Sequence, residues 1–214
     1  MPILKKTMFR EYDMRGRESD DELNDESMYY IGRGFGTYLR KRNINEAVVG
    51  HDARATSESF HQAVIKGLTE CGVNVINTGI VTTPMSYWSQ HFLKVKGLVT
   101  VTASHNPAGW NGVKLGSDLS YTLLADELQE VYDIIAKEKF VDGKGTIRKE
   151  DIAEDYKSAV NKLNDHINKK LPQLQIPFDN LKGEFKKLND EVSRSPTPSQ
   201  STGAVIPSHD RMGA

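Results

Sequence analysis

Three short apolar runs, each too brief for a helix, alternate with longer stretches of helical spacing, and this alternation limits what the chain can fold into. Ala47-Val48-Val49, Val73-Asn74-Val75-Ile76 and Gly97-Leu98-Val99-Thr100-Val101 read as buried strands. Ahead of the first, Met28, Ile31, Phe35 and Leu39 recur at helical spacing and predict a helix over about 26–42. Between the first and second, Phe60, Val64, Leu68 and Cys71 line one helical face, with Thr56 or Ser57 as the cap and Gly72 as the stop. Thr83 is expected to cap a third helix with Pro84 at its first position and Met85, Trp88 and Phe92 on its apolar side. Leu124, Leu128, Val131 and Ile135 mark a fourth. Repeated β-α units of this kind predict an α/β fold, a mostly parallel sheet flanked by helices on both faces.

The last quarter of the chain is built differently. Tyr156, Val160, Leu163 and Ile167 predict a helix near 151–169. Pro172 and Pro177 should interrupt it, and Phe178, Leu181, Phe185, Leu188 and Val192 outline a second amphipathic helix. From Ser193 onward Ser, Pro, Thr and Gly dominate, which predicts disorder. The expected organisation is an α/β domain over 1–163, a helical extension over 164–192 and a disordered tail over 193–214.

Composition removes several function classes. The net charge of −1 gives no global field for nucleic acid or a membrane surface. The single cysteine, Cys71, excludes an internal disulfide framework and falls on the apolar stripe of the second helix, so a buried structural thiol is expected. The first residues lack the apolar core of a signal peptide, and no run approaches the roughly 20 apolar residues of a membrane span. A soluble cytoplasmic protein is the expectation. Gly32-x-Gly34-x-Gly36 imitates a dinucleotide loop, but it follows no strand and lies inside a helical pattern, where glycines permit close packing instead.

The segment Thr102-Ala103-Ser104-His105-Asn106-Pro107 follows the third strand directly. A serine thus stands just past a strand's C-terminal end, where open α/β sheets place ligands and chemistry. Pro107 keeps Asn106 out of the helical region. A hydrolase triad is disfavoured, because the Gly-x-Ser-x-Gly elbow is absent and sequence neighbours such as Ser104 and His105 rarely form a nucleophile–base hydrogen bond.

This segment resembles the phosphoserine signature of the α-D-phosphohexomutases, the phosphomannomutase/phosphoglucomutase family. Phe9-Arg10-Glu11-Tyr12-Asp13-Met14-Arg15-Gly16 is similar to that family's N-terminal loop. Gly50-His51-Asp52-Ala53-Arg54 is similar to its Gly-Arg-Asp-x-Arg element, with His51 where arginine is usual. Gly79 with Thr83-Pro84 fits the next loop, and Asn111-Gly112-Val113-Lys114 resembles the Asn-Gly-Phe-Lys element. The resemblance spans about 8–163, the first of the family's four domains, and its Phe-Arg-x-Tyr-Asp start favours the phosphomannomutase/phosphoglucomutase branch.

The resemblance implies that Ser104 carries a phosphoryl group between the 1- and 6-positions of a mannose or glucose phosphate, with hexose 1,6-bisphosphate as activator. Lys114 and Arg15 would assist proton transfer, the lysine if its pKa is lowered. Tyr12, His105 and Asn106 would bind sugar or phosphate oxygens. Arg10, Asp52 and Arg54 would stand behind them, the last two as an ion pair supporting the serine loop. Mg2+ is expected on the Ser104 phosphate, but the family's Asp-Gly-Asp-Gly-Asp-Arg loop has no counterpart here, nor do its Gly-Glu-x-Ser-Gly-His and Arg-x-Ser-Gly-Thr-Glu-Pro loops. The chain by itself is therefore expected to be inactive as a mutase, unless a complementary chain or self-association completes the cleft. The rival readings are a non-catalytic, mutase-derived interaction module and an unrelated α/β sugar-phosphate binder.

Overall fold

In the computed structural model, which describes residues 4–194, the apolar runs become neighbouring strands of one six-stranded sheet. The strands are β1 (Met14–Arg17), β2 (Glu46–His51), β3 (Asn74–Ile80), β4 (Gly97–Val101), β5 (Trp110–Gly116) and β6 (Ile147–Lys149). Their spatial order is β1-β5-β4-β2-β3-β6. The pairings β4–β2, β2–β3 and β3–β6 are parallel, whereas β5 runs antiparallel to both β4 and β1. The sheet is thus mixed and mostly parallel. Only a loop joins β4 to β5, and a loop without a crossover returns the chain antiparallel.

The helices are α1 (Asp25–Lys41), α2 (Ser57–Glu70), α3 (Thr83–Leu93), α4 (Ala125–Ala136) and α5 (Ala153–Arg194). Successive residues of a strand point to opposite faces, and β2 shows the consequence. Ala47 and Val49 join the large core with Phe35, Leu68 and Val131 from α1, α2 and α4. Val48, between them, joins Ile76, Val95 and Leu98 in a smaller core, against Tyr87 and Leu93 of α3. Both faces of the sheet are therefore covered by helices.

The three glycines of α1 work as packing surfaces. A Cβ at Gly32 would lie 2.4 Å from the Val64 carbonyl, and one at Gly67 of α2 would lie 2.3 Å from the Tyr29 carbonyl, so the two helix backbones touch. Gly34 faces Ile135 of α4 instead. Cys71 is fully buried, burial pushes its thiol pKa up, and its Sγ donates to the Arg33 carbonyl at 3.2 Å.

Several local expectations need correction. The cap of α3 is Thr82, whose side chain accepts from the Met85 amide, which places Pro84 second in the helix. Thr56 holds the cap position of α2 but donates its hydroxyl to Glu18, and Ser57 donates to Asp52; neither caps. The buried side of α3 is Ser86, Ser89 and Gln90, while Phe92 is 44% exposed and stacks on Trp88. Polar groups can line that face because each finds a backbone partner: Ser86 donates to Thr82 O, Ser89 to Ser86 O, and Gln90 to Lys96 O and Asp118 O. Strands β1, β5 and β6 had no predicted counterpart.

The described residues divide into two units, with the boundary between Val160 and Asn161. In the second, α5 continues without a break where Pro172 and Pro177 were expected to end it. Each proline removes one intrahelical hydrogen bond, but no glycine or turn cluster stands between them to redirect the chain. Leu163, Ile167, Leu171, Leu181 and Phe185 are exposed along it. The side chains of Phe178, Leu188 and Val192, and the tail from 195 on, lie outside the described residues.

Candidate functional site

Three segments meet past the end of β4: the loop between β4 and β5, the loop between β2 and α2, and β1 with the loop preceding it. Ser104, on the first, is exposed and adopts a left-handed backbone with φ 57°. That region is costly for a residue with a Cβ and is held only where the surroundings over-determine it. The holding groups are identifiable. The Ser104 amide donates to Thr102 Oγ1 at 2.9 Å, and the Asn106 amide to the Ala103 carbonyl at 3.1 Å.

Arg54 does most of the rest. Its Nη2 donates to the carbonyls of Ser104 at 3.2 Å and Asn106 at 2.6 Å. Its Nη1 donates to those of Pro107 and Trp110, each at 3.2 Å. The planar fork of a guanidinium suits several acceptors in one plane. Asp52 aims the fork, accepting from Arg54 Nε at 3.2 Å and from the Arg54 amide at 3.1 Å. Ser57 Oγ donates to the same carboxylate at 2.5 Å and accepts from Asn111 Nδ2 at 3.1 Å. Asn111 is fully buried, its Nδ2 also reaches Thr56 Oγ1, and its Oδ1 accepts from the Gly112 amide. Gly112 has no room for a Cβ, which would lie 2.2 Å from the Met14 carbonyl, so this glycine lets β1 pair closely with β5.

A buried carboxylate of the N-terminal loop organises the cations. Asp13 is buried, and its Oδ2 lies 2.6 Å from Arg15 Nη2, 2.7 Å from Arg15 Nε and 3.7 Å from Lys114 Nζ. Arg15 reaches on to Asn106 Oδ1 at 3.2 Å, tying β1 to the serine loop. Lys114 stands mid-strand in β5, its side chain 15% exposed and its Nζ 5.4 Å from the centre of the Tyr12 ring. Two cations sharing one carboxylate leave net positive charge.

Tyr12 is 53% exposed. Arg10, Glu11, Tyr12, Asp13, Arg15, His105 and Asn106 line a cleft of about 400 Å3. His105 is also exposed, and its Nδ1 lies 3.3 Å from Ser104 Oγ, so the neighbour contact expected to be rare is present at the long limit of a hydrogen bond. Arg10 makes no ion pair among the described residues, and its amide donates to the Asp13 carbonyl. The arrangement can hold an exposed hydroxyl rigidly beside a cationic cleft open to a small anion. Asp13 and Asn111 are the parts that sequence reasoning missed; an acid two residues before an arginine was the available signal for the first.

Comparison with known proteins agrees on one family. The model of phosphoglucomutase/phosphomannomutase, alpha/beta/alpha domain I, matches residues 6–142. A phosphomannomutase of Vibrio cholerae is 32% identical over 220 residues, covering 90% of this chain and 47% of that protein. A phosphomannomutase of Klebsiella pneumoniae is 37% identical over 155 residues, covering 70% of this chain and 96% of that protein. A solved phosphoglucomutase/phosphomannomutase family protein from Burkholderia thailandensis superposes with a TM-score of 0.67 at 29% identity, covering 72% of this chain and 35% of that one. The chain spans about half the length of the Vibrio relative.

Proposed function

Because the chain belongs to the phosphoglucomutase/phosphomannomutase family, matching its domain I, we propose that it supplies the serine-bearing wall of a phosphohexomutase cleft and moves a phosphoryl group between the 1- and 6-positions of mannose or glucose phosphate. The observation that carries this reading is the Arg54 brace: three carbonyls of the serine loop and that of Trp110, at the start of β5, are bonded to one guanidinium while Ser104 Oγ stays exposed.

In the forward step a sugar hydroxyl attacks the phosphorus of phosphoserine 104. The new O–P bond forms as the P–Oγ bond breaks. Lys114 gives a proton to the departing Oγ and regains one from the attacking hydroxyl, so charge and protons balance. Return of the other phosphate from the bisphosphate restores the enzyme, which is why hexose 1,6-bisphosphate acts as activator. Arg15 and Lys114 neutralise the transferring group, as phosphoryl transfer demands positioning and positive charge above all. Tyr12, His105 and Asn106 take sugar or phosphate oxygens, and Arg10 guards the edge of the cleft. Asp52 and Arg54 act through the loop they hold.

Mg2+ fits this chain's own residues poorly. It prefers near-octahedral oxygen ligands, whereas Asp13 is committed to Arg15 and Lys114, and no carboxylate cluster flanks Ser104 among the described residues. Among the described residues only the Ser104 phosphate would offer a ligand, and the carboxylates an ion needs would come from outside them. Further sugar and metal contacts come, on this reading, from beyond residues 6–142, whether from further chain, a complementary chain or self-association. No described helix is long and apolar enough to cross a membrane, and a cytoplasmic place of action goes with this reading.

The test is intact-mass analysis after incubation with glucose 1,6-bisphosphate, with the remaining domains of a family member supplied in trans. One added phosphate is expected, absent in Ser104→Ala. Phosphate on another residue, or an unchanged mass increase in Ser104→Ala, would overturn the assignment.

A further inference from the structure

Away from the serine loop, the end of β2 and the first turns of α2 gather a group that phosphoryl transfer does not use. His51, Glu58 and His61 each offer one ligand atom within 4.8 Å of the other two. Both imidazoles are buried, 3% and 1% exposed, with ring centres 4.7 Å apart.

Hydrogen bonds decide which ring nitrogens remain available. His51 Nδ1 lies 2.8 Å from the Asp52 carbonyl, and only an N–H can face a carbonyl at that distance. Its Nε2 then faces Glu58 Oε2 at 2.8 Å. A bare nitrogen lone pair cannot rest against a carboxylate oxygen, so a cation belongs there: either a proton on Nε2 or a metal ion between the two atoms. His61 is more restrictive. Its Nε2 faces the Val49 carbonyl at 3.3 Å and so carries the N–H, while Nδ1 is buried with no hydrogen-bond partner. An unprotonated nitrogen sealed from water with no donor leaves a lone pair unmatched. Gln62 Nε2 donates to Glu58 Oε1 at 2.8 Å and orients the carboxylate. Each histidine thus gives its other nitrogen to a backbone carbonyl, the outer arrangement that metal-ligating histidines adopt.

We propose that His51, Glu58 and His61 form a divalent transition-metal site, for which zinc is the best-suited ion. Two imidazoles and one carboxylate are a borderline donor set suited to zinc and its neighbours, not to magnesium or calcium, which take oxygen. A cavity of about 290 Å3 lined by Glu58, His61, Gln62, Asn77, Glu150 and Asp151 adjoins the group, giving an entry path and room for a fourth ligand. An ion there clamps the C-terminal end of β2 to α2, one residue ahead of the Asp52 that aims Arg54. The inference stands independently of the proposed mutase activity.

The experiment uses the full chain, stripped with a chelator and titrated with Zn2+ against a chromophoric competitor, with Co2+ spectra and thermal unfolding alongside. One equivalent should bind, Tm should rise, and Co2+ should show the intense visible bands of a low-coordinate nitrogen–oxygen site. Glu58→Gln changes a side chain that is 63% exposed and should fold normally. It should lose more affinity than the roughly 10–100-fold that follows loss of an outer partner, and it should lose the Tm rise. His61→Gln should do the same, and His91→Ala, at an exposed histidine, should bind as the parent does. Absence of one-equivalent binding in the parent, or Zn2+ affinity within twofold of the parent in folded Glu58→Gln, overturns the site.

Discussion

A guanidinium can do at position 54 what an ammonium cannot. Arg54 spreads four donated hydrogen bonds over the carbonyls of residues 104, 106, 107 and 110. A lysine keeps the charge but offers one nitrogen on a flexible stem, so it satisfies one or two of these acceptors. Arg54→Lys should therefore cost about 1–2 kcal/mol, a discounted share of several charged hydrogen bonds because the side chain is partly exposed. It should also speed amide exchange at Ser104 and Asn106 and slow phosphorylation of Ser104 about tenfold or more. Unchanged exchange in the loop would separate Arg54 from the serine's conformation. Ser104, Arg54 and Lys114 were legible because motifs name residue types at fixed offsets. Asp13 and Asn111 were less so, since their roles arise from burial between strands β1 and β5 and the start of α2, which spacing alone does not reveal.

Among the elements, α1 carries the sharpest test of packing. Its glycines face two different kinds of neighbour. A Cβ at Gly32 would meet backbone of α2, the Val64 carbonyl at 2.4 Å, whereas one at Gly34 would meet the side-chain atoms of Ile135 at 2.5 and 2.8 Å. Alanine gains about 1 kcal/mol in helix propensity over glycine at either position. Overpacking costs roughly 1–3 kcal/mol where nothing can move. Backbone cannot move without separating α1 from α2, while Ile135, buried and stiff at χ1, can yield only in part. Gly32→Ala should thus lower the urea midpoint clearly, and Gly34→Ala should lower it less. Equal effects would mean that the two helix contacts yield alike. The helices α1, α2 and α4 were readable from apolar spacing because their cores are apolar. The buried face of α3 was misread because Ser86, Ser89 and Gln90 form it with hydroxyls and an amide satisfied by backbone, a solution that hydrophobic periodicity cannot register. The antiparallel β1 and β5 escaped for a related reason: both contain glycine and charged residues, and their place in the sheet is set by pairing instead of by an apolar run.

For the molecule as a whole, the topology brings β1, the β2–α2 loop and the β4–β5 loop to one place, so the stability of the β2–α2 corner and the integrity of the site are linked. His61 sits in that corner. Burial is the main reason that its pKa falls from 6.5 to about 4, with the neighbouring His51 charge pushing the same way. The unfolded chain, with His61 near 6.5, takes up a proton across that interval that the folded chain refuses. Stability therefore falls as pH drops from about 6.5 toward 4, and below about 4 this residue adds no further loss. The full interval corresponds to about 3 kcal/mol, and the step from pH 7 to pH 5 to about 2 kcal/mol. The carboxylates with lowered pKa values, Glu58, Glu127 and Glu130 among them, begin to lose their contribution only below about 4.5, their ordinary value. The window from pH 7 to pH 5 thus sets His61 apart from these carboxylates. Urea unfolding of the chelator-treated chain should show a midpoint that declines across that window, and His61→Gln, which cannot be protonated there, should flatten the slope even if it lowers the midpoint at every pH. A parent midpoint level from pH 7 to pH 5 would show that the corner opens to admit the proton, and that His61 is not held neutral by burial.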